Sequence, residues 1–199
     1  SLSASELAPH AANEVRLFSP LYIYCADVGS IKKGNFGWAC TPARRDRKNN
    51  GSCISDFADL IAQDIDTGYA VAVGFECPLW VPITQSPIGL TLPRHQNEKT
   101  RCWSAGAGAT SLSVGLSEMA WCLERINSTC TTRIHPTLDW REFRNKRHNL
   151  LLWEAFVSNK KQKDNKPHWS DARRAAQALA RRWPKMKTLE STFPSTSPV

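Results

Sequence analysis

Two acidic side chains follow short apolar segments in the first half of the sequence. Asp27 ends the aromatic and β-branched run 21–26, and Glu76 ends the run 70–75. Such runs predict buried strands that each carry an acid at an exposed end. Carboxylate oxygens are the ligands that hard divalent cations prefer. The repeated pattern therefore predicts that Asp27 and Glu76 belong to one metal-binding carboxylate cluster.

Two later acids join this predicted cluster. Glu154 lies inside a third apolar run, 149–156, where an ionised group is costly unless it has a proton, a partner or a metal. Asp171 lies in the first turn of a predicted helix, a position that the helix dipole also favours without any chemistry. Four acids suffice for two Mg²⁺ or Mn²⁺ ions, which activate water and stabilise the leaving oxygen in phosphodiester hydrolysis. We therefore predict as catalytic and metal-binding residues Asp27, Glu76, Glu154 and Asp171.

Two neighbouring features leave alternatives open. His168 precedes Asp171 by three residues and could assist a leaving group, although a plain surface histidine is the commoner case. Gly106 and Gly108 open a predicted helix, where they either hold a phosphate or substrate or allow close packing. The pattern of residues does not decide between these uses.

Positive charge dominates the composition. The chain has 26 lysines and arginines against 18 aspartates and glutamates, a formal net charge of +8, which favours an anionic partner. Nucleic acid, either DNA or RNA, is the commonest such partner. Basic runs are often only solvated loops, but beside an acid cluster they would hold the phosphates of the strand being cleaved. As nucleic-acid-binding residues we predict Arg44, Arg45, Arg47, Lys48, Arg144 and Arg147.

The seven cysteines are odd in number, scattered and without any CxxC pair, so neither a disulfide framework nor a zinc knuckle is indicated. Reduced thiols suit a cytoplasmic location. The sequence contains no window long and apolar enough for a membrane span, and the first twenty residues do not resemble a signal peptide. We therefore expect no membrane partner.

A chain of 199 residues is of the size of one α/β domain. Composition predicts a loose arm over 1–19, the domain over 20–183, and a disordered tail rich in Ser, Thr and Pro over 184–199. The order of predicted elements is strand, returning strand, helix and strand, which is the start of a mixed sheet. A third antiparallel strand is either missing or very short.

The elements that carry the acids also carry a resemblance. The matching segments are 23–30 with Asp27, the returning strand 35–39, Phe75–Leu79, Trp103–Ala109, Leu152–Glu154 and Asp171–Ala172. Together they resemble an uncharacterised family of predicted nucleases with a ribonuclease H-like fold. The resemblance implies an α/β fold with a ribonuclease H-like mixed central sheet flanked by helices, and an acidic two-metal site. It implies Asp27 on the first strand, Glu76 after the fourth, and Glu154 and Asp171 as later ligands.

The chain departs from that family in having no obvious third strand, and in carrying Glu76 where many relatives would show Asp. A second class of function is a non-catalytic nucleic-acid-binding or scaffolding domain, in which arginines neutralise the acids. A third is an actin-like phosphotransferase, because 27–30 resembles a phosphate loop. That fold needs two such domains, whereas this chain has room for one. A serine hydrolase is not indicated, because no Gly-x-Ser-x-Gly motif occurs.

Overall fold

The computed structural model of the chain describes residues 20–94, 103–145, 148–156 and 167–183. Within these ranges it contains six strands and four α-helices. The strands are β1 (Leu21–Asp27), β2 (Gly37–Thr41), β3 (Asn50–Gly51), β4 (Ala70–Phe75), β5 (Pro136–Thr137) and β6 (Leu150–Glu154). The helices are α1 (Ile54–Asp66), α2 (Gly106–Thr129), α3 (Trp140–Arg144) and α4 (Trp169–Arg182), and 3-10 turns cover Ile31–Lys33 and Pro87–Thr91.

The strands form one mixed sheet in the order β3-β2-β1-β4-β6-β5. The four strands β1, β4, β6 and β5 are mutually parallel, whereas β2 and β3 continue from β1 as antiparallel neighbours. This confirms the predicted α/β class and the mixed sheet. The third strand is only two residues long, which agrees with the expectation that it is missing or very short.

Helices cover both faces of the sheet. Alternate residues of β1 point to opposite sides, so Tyr24 packs with Phe57 of α1, while Ile23 and Cys25 pack with Ala172 of α4. The first face is the larger core, in which the Phe57 ring contacts four other aromatic rings: Tyr24, Phe36, Trp38 and Phe75. Helix α4 contributes Ala172, Ala175 and Ala176 to the second face, and these small side chains let the helix lie close to the strands.

The antiparallel pairing of β1 and β2 defines two ends of the sheet. Asp27 pairs with Gly37, whereas Ile23 pairs with Thr41, the last residue of β2. The loop that leaves β2 therefore lies at the end of the sheet opposite Asp27. Seven residues of strand separate the two ends of β1 by about 20 Å.

Helix α2 runs from Gly106 to Thr129, so Gly106 and Gly108 lie in its first turn, as the sequence predicted. None of the residues 106–114 is buried. The predicted arm 1–19 and tail 184–199 lie outside the described residues. No described helix combines the length and apolar character that crossing a membrane requires.

Candidate active site

Asp27 and Glu76 leave the sheet side by side. The central strands β1 and β4 are parallel and pair Ala26 with Phe75, so the next residue of each strand is an acid. The backbone N–H of Glu76 donates to the carbonyl of Ala26 at 2.9 Å, which continues the pairing beyond the strand. Alternation along the strands places both acids on the face that α4 covers. The two acids therefore lie at the ends of adjacent strands on one edge of the sheet, as the sequence pattern predicted.

The first turn of α4 lies against Asp27. His168 immediately precedes α4, and its Nδ1 lies 2.7 Å from Oδ2 of Asp27. The histidine side chain is 43% exposed, while the aspartate is only 17% exposed. Two roles were open for this histidine from its sequence position, and the structure places it beside Asp27. Its imidazole therefore contacts a mostly buried carboxylate on one side and solvent on the other.

Gly37 makes this approach possible. It pairs with Asp27 across β1 and β2, and a Cβ at this position would lie 2.5 Å from the carbonyl carbon of His168 and closer still to the nitrogen of Trp169. Atoms at such distances overlap, so only a glycine lets the helix begin here. The close contact between two backbones therefore fixes His168 over Asp27.

The electrostatics of Asp27 reflect its mixed surroundings. Burial raises the pKa of Asp27 above its ordinary value, the hydrogen bond from His168 lowers it, and the negative charge of Asp171 raises it. Asp171 is mostly buried on α4, and one of its oxygens accepts a hydrogen bond from Arg174 at 2.5 Å. Asp171 therefore lies close enough for its charge to act on Asp27.

Glu154 does not join this group. It pairs with Phe75 rather than with Glu76, so alternation places it on the opposite face of the sheet from Asp27. Arg94 holds its carboxylate through two hydrogen bonds, of 2.5 Å to Oε1 and 2.9 Å to Oε2, and the backbone N–H of Leu79 donates to Oε1 at 2.8 Å. Glu154 thus has the partner that an acid in an apolar run requires: Arg94, whose side chain is only 1% exposed.

Glu118 was not predicted and lies at this end of the sheet. It belongs to α2, is 8% exposed, and accepts a hydrogen bond from the backbone N–H of Gly29. Its pKa is raised to about 7: burial is the largest cause, the Gly29 N–H opposes it, and the charge of Asp27 adds to it. Its Oε2 has no hydrogen-bond partner within the described part of the chain. The signal in the sequence was Gly115, one helical turn earlier on the same face.

Carboxylate oxygens are the ligands that Mg²⁺ and Mn²⁺ favour. The buried Oε2 of Glu118 is such an oxygen, and it has no hydrogen-bond partner among the described residues. Across the four described ranges, however, no three His, Cys, Asp or Glu side chains form a group that could hold a metal ion. The residues thus fit a hard cation by the chemistry of their oxygens and not as a preformed cluster. Asp27 contacts His168, and Asp171 pairs with Arg174.

The predicted basic residues 44–48 lie away from these acids, in the loop after β2 at the other end of the sheet. Arg47 binds Oδ1 of the buried Asp64 at 2.7 Å, Arg44 binds Asp46, and Lys48 binds Asp56 at 2.8 Å. Arg45 is exposed. Three of these four side chains therefore have structural carboxylate partners, and this run does not border the acid cluster.

The second predicted basic segment is also distant. Arg144 of α3 is exposed and lies over the ring of Trp140. Phe143 beside it packs against Trp183, which follows the last residue of α4, whereas His168 precedes its first. A helix of 14 residues is about 21 Å long, so α3 and Asp27 lie near opposite ends of it. Arg147 lies outside the described residues.

Comparison of the chain with protein families, with curated proteins and with solved structures found no match. The function is therefore inferred from the residues and their arrangement.

Proposed function

We propose that the chain is a divalent-metal-dependent nuclease, with a ribonuclease H-like domain that hydrolyses phosphodiester bonds of nucleic acid. The observation that carries this proposal is the pair Asp27 and Glu76, which end adjacent parallel strands on one face of the sheet. Asp171 and His168 approach that face from α4. The strand order and the resemblance in the sequence support the same proposal.

Each residue has a chemical role in this proposal. Asp27, Glu76 and Asp171 would hold Mg²⁺ or Mn²⁺, which when bound activates water and stabilises developing negative charge. His168 would move a proton, because its ring contacts solvent on one side and is oriented by Asp27 on the other. An imidazole can donate a proton from one ring nitrogen while the other is held by a partner, which suits protonation of a leaving oxygen.

The test is a cleavage panel with the full chain. Single-stranded, double-stranded and branched DNA and RNA are incubated with Mg²⁺ or Mn²⁺, and the products are separated by length. We expect cleavage by the wild-type chain and none by Asp27→Asn. Asp59→Asn is the matched control, because Asp59 is an exposed acid on α1 that pairs with Arg125. Equal cleavage by Asp27→Asn, or no cleavage of any substrate, would contradict the proposal.

Ion pairing at two of the predicted acids favours a second candidate, a nucleic-acid-binding domain without catalysis. Arg94 neutralises Glu154, and Arg174 neutralises Asp171. Such a domain would bind nucleic acid with an affinity that falls steeply as salt rises, because binding releases counterions from the phosphates. Salt-dependent binding without cleavage across the panel would favour this candidate over the nuclease.

A further inference from the structure

Close packing of α2 fixes the position of Glu118. Gly115 of α2 lies against the side chain of Cys77, and a Cβ at Gly115 would also reach Val28 at 3.5 Å. These two contacts are with residues that directly follow Glu76 and Asp27. Glu118 lies three residues further on the same helix face, so it faces the end of the sheet where the strand-end acids emerge.

The two oxygens of Glu118 have unequal surroundings. The carboxylate receives the backbone N–H of Gly29, but Oε2 has no hydrogen-bond partner among the residues that the structure describes. A buried carboxylate oxygen without a partner is costly, and nearly all buried polar groups in folded proteins have one. The nearby charge of Asp27 increases the cost. Either a proton or a cation would relieve it.

We propose that Glu118 is a further carboxylate ligand of the divalent cation and has the role that the resemblance implied for Glu154. This inference rests on the proposed function, since it adds a residue to the same site. Glu154 already has both oxygens satisfied by Arg94 and a backbone N–H. Glu118 has a buried oxygen available, and it lies beside the loop that follows Asp27. A cation bound there would draw together α2 and the two central strands.

The experiment measures Mn²⁺ binding to the full chain by calorimetry at pH 8, without nucleic acid. The variants are Glu118→Gln, the control Glu124→Gln on the exposed side of the same helix, and Asp27→Asn. We expect Glu118→Gln to weaken Mn²⁺ binding by roughly 10-fold or more, because loss of even an indirect metal contact costs 10- to 100-fold. Glu124→Gln should bind Mn²⁺ as the wild-type chain does.

The outcomes separate the two proposals. If Glu118→Gln binds Mn²⁺ normally while Asp27→Asn does not, Glu118 is no ligand and the proposed function stands. If the wild-type chain does not bind Mn²⁺, both proposals fall.

A second measurement needs no variant. Fe²⁺ replaces Mn²⁺ in the wild-type chain, and with ascorbate and peroxide it generates radicals that cut the nearby backbone. We expect cuts in α2 around Glu118 as well as after Asp27. Cuts after Asp27 without cuts in α2 would overturn the assignment of Glu118.

Discussion

Two buried acids on the same side of the sheet have opposite surroundings. Asp64 of α1 is 1% exposed, and both of its oxygens are bound: Oδ1 accepts from Arg47 at 2.7 Å, and Oδ2 accepts from the hydroxyl of Tyr24 at 2.7 Å. Glu118 of α2 is nearly as buried, yet one of its oxygens has no hydrogen-bond partner among the described residues. The first acid organises packing, whereas the second is left with the capacity to bind a ligand.

The Tyr24 hydroxyl in the cluster around Asp64 remains protonated. Burial raises the pKa of Tyr24 far above its ordinary value, with Cys40 and Asp64 adding to the effect, so the hydroxyl remains a donor. Arg47 also lies over the ring of Tyr24. Removing one partner of such a pair leaves a buried charge without compensation. Asp64 has such a partner in Arg47, whereas Glu118 has none among the described residues.

The largest effect is expected from Asp64→Asn. The substitution leaves the guanidinium of Arg47 buried without its counter-charge, which should cost about 3 to 5 kcal/mol of unfolding free energy. Chemical denaturation of both chains measures the difference. Asp59→Asn on the same helix is the control, and a loss below about 1 kcal/mol for Asp64→Asn would show that its pairing is dispensable.

Gly37→Ala should have the next largest effect. The added methyl group overlaps the backbone of His168 and Trp169, so the start of α4 must move, at a cost of about 1 to 3 kcal/mol. Hydrogen exchange of the amides in the first turn of α4 should become faster, while exchange in α1 stays the same. Unchanged exchange in α4 would mean that the helix tolerates a side chain at position 37.

Glu118→Gln should change stability in the opposite direction. A folded pKa of about 7, against an ordinary value of 4.5, means that the native state holds the extra proton between these pH values. The contribution of Glu118 to the stability of the wild-type chain therefore falls as pH rises from about 4.5 to 7 and is constant above that. The variant should be more stable by up to about 3 kcal/mol at pH 8 and equal at pH 4.

Asp27, Cys77 and Cys122 are the titratable groups whose charges interact with Glu118. Burial raises the pKa of each thiol to about 12, so neither thiol ionises in this range. Denaturation curves in metal-free buffer across pH 4 to 8 give the comparison. Parallel stability profiles for the two chains would contradict the assigned pKa.

The smallest effect is expected from Asp59→Asn. Asp59 and Arg125 form an exposed pair between α1 and α2 with an oxygen–nitrogen distance of 2.8 Å. Such pairs contribute about 0.2 to 1 kcal/mol, and salt screens them. The difference in unfolding free energy should shrink further when the measurement is repeated at high salt. A larger or salt-independent loss would show that this pair joins the helices more firmly than its exposure suggests.

The sequence predicted those features that depend on local pattern. Short apolar runs located β1, β4 and β6, and the helix predicted between the returning strand and the second acid-bearing strand is α1. An acid follows each of the apolar runs 21–26 and 70–75, and this pattern predicted that Asp27 and Glu76 emerge at one edge of the sheet. They do so because β1 and β4 pair as parallel neighbours.

Features that depend on pairing between distant residues were not predictable in this way. Glu154 lies on its face because β6 pairs with β4 in one register, and its partner Arg94 is 60 residues away. The direction of β2 sends the basic residues 44–48 to the far end of the sheet. Glu118 lies in α2, where exposed and buried turns have similar compositions, so composition did not show that this residue is buried. Register, strand direction and helix docking are tertiary properties, and apolar periodicity does not contain them.

The contact between His168 and Asp27 joins residues 141 positions apart. When the chain emerges from the ribosome, β1 is therefore available well before the residue that contacts Asp27. Contacts of such long sequence separation form late, because the loop they close is costly to order. A chain shortened to end before residue 167 would keep every strand of the sheet and lack His168 and Asp171. Such a chain would also lack α4, so the sheet face that carries Ile23 and Cys25 and the contact between His168 and Asp27 should be completed in the same late step.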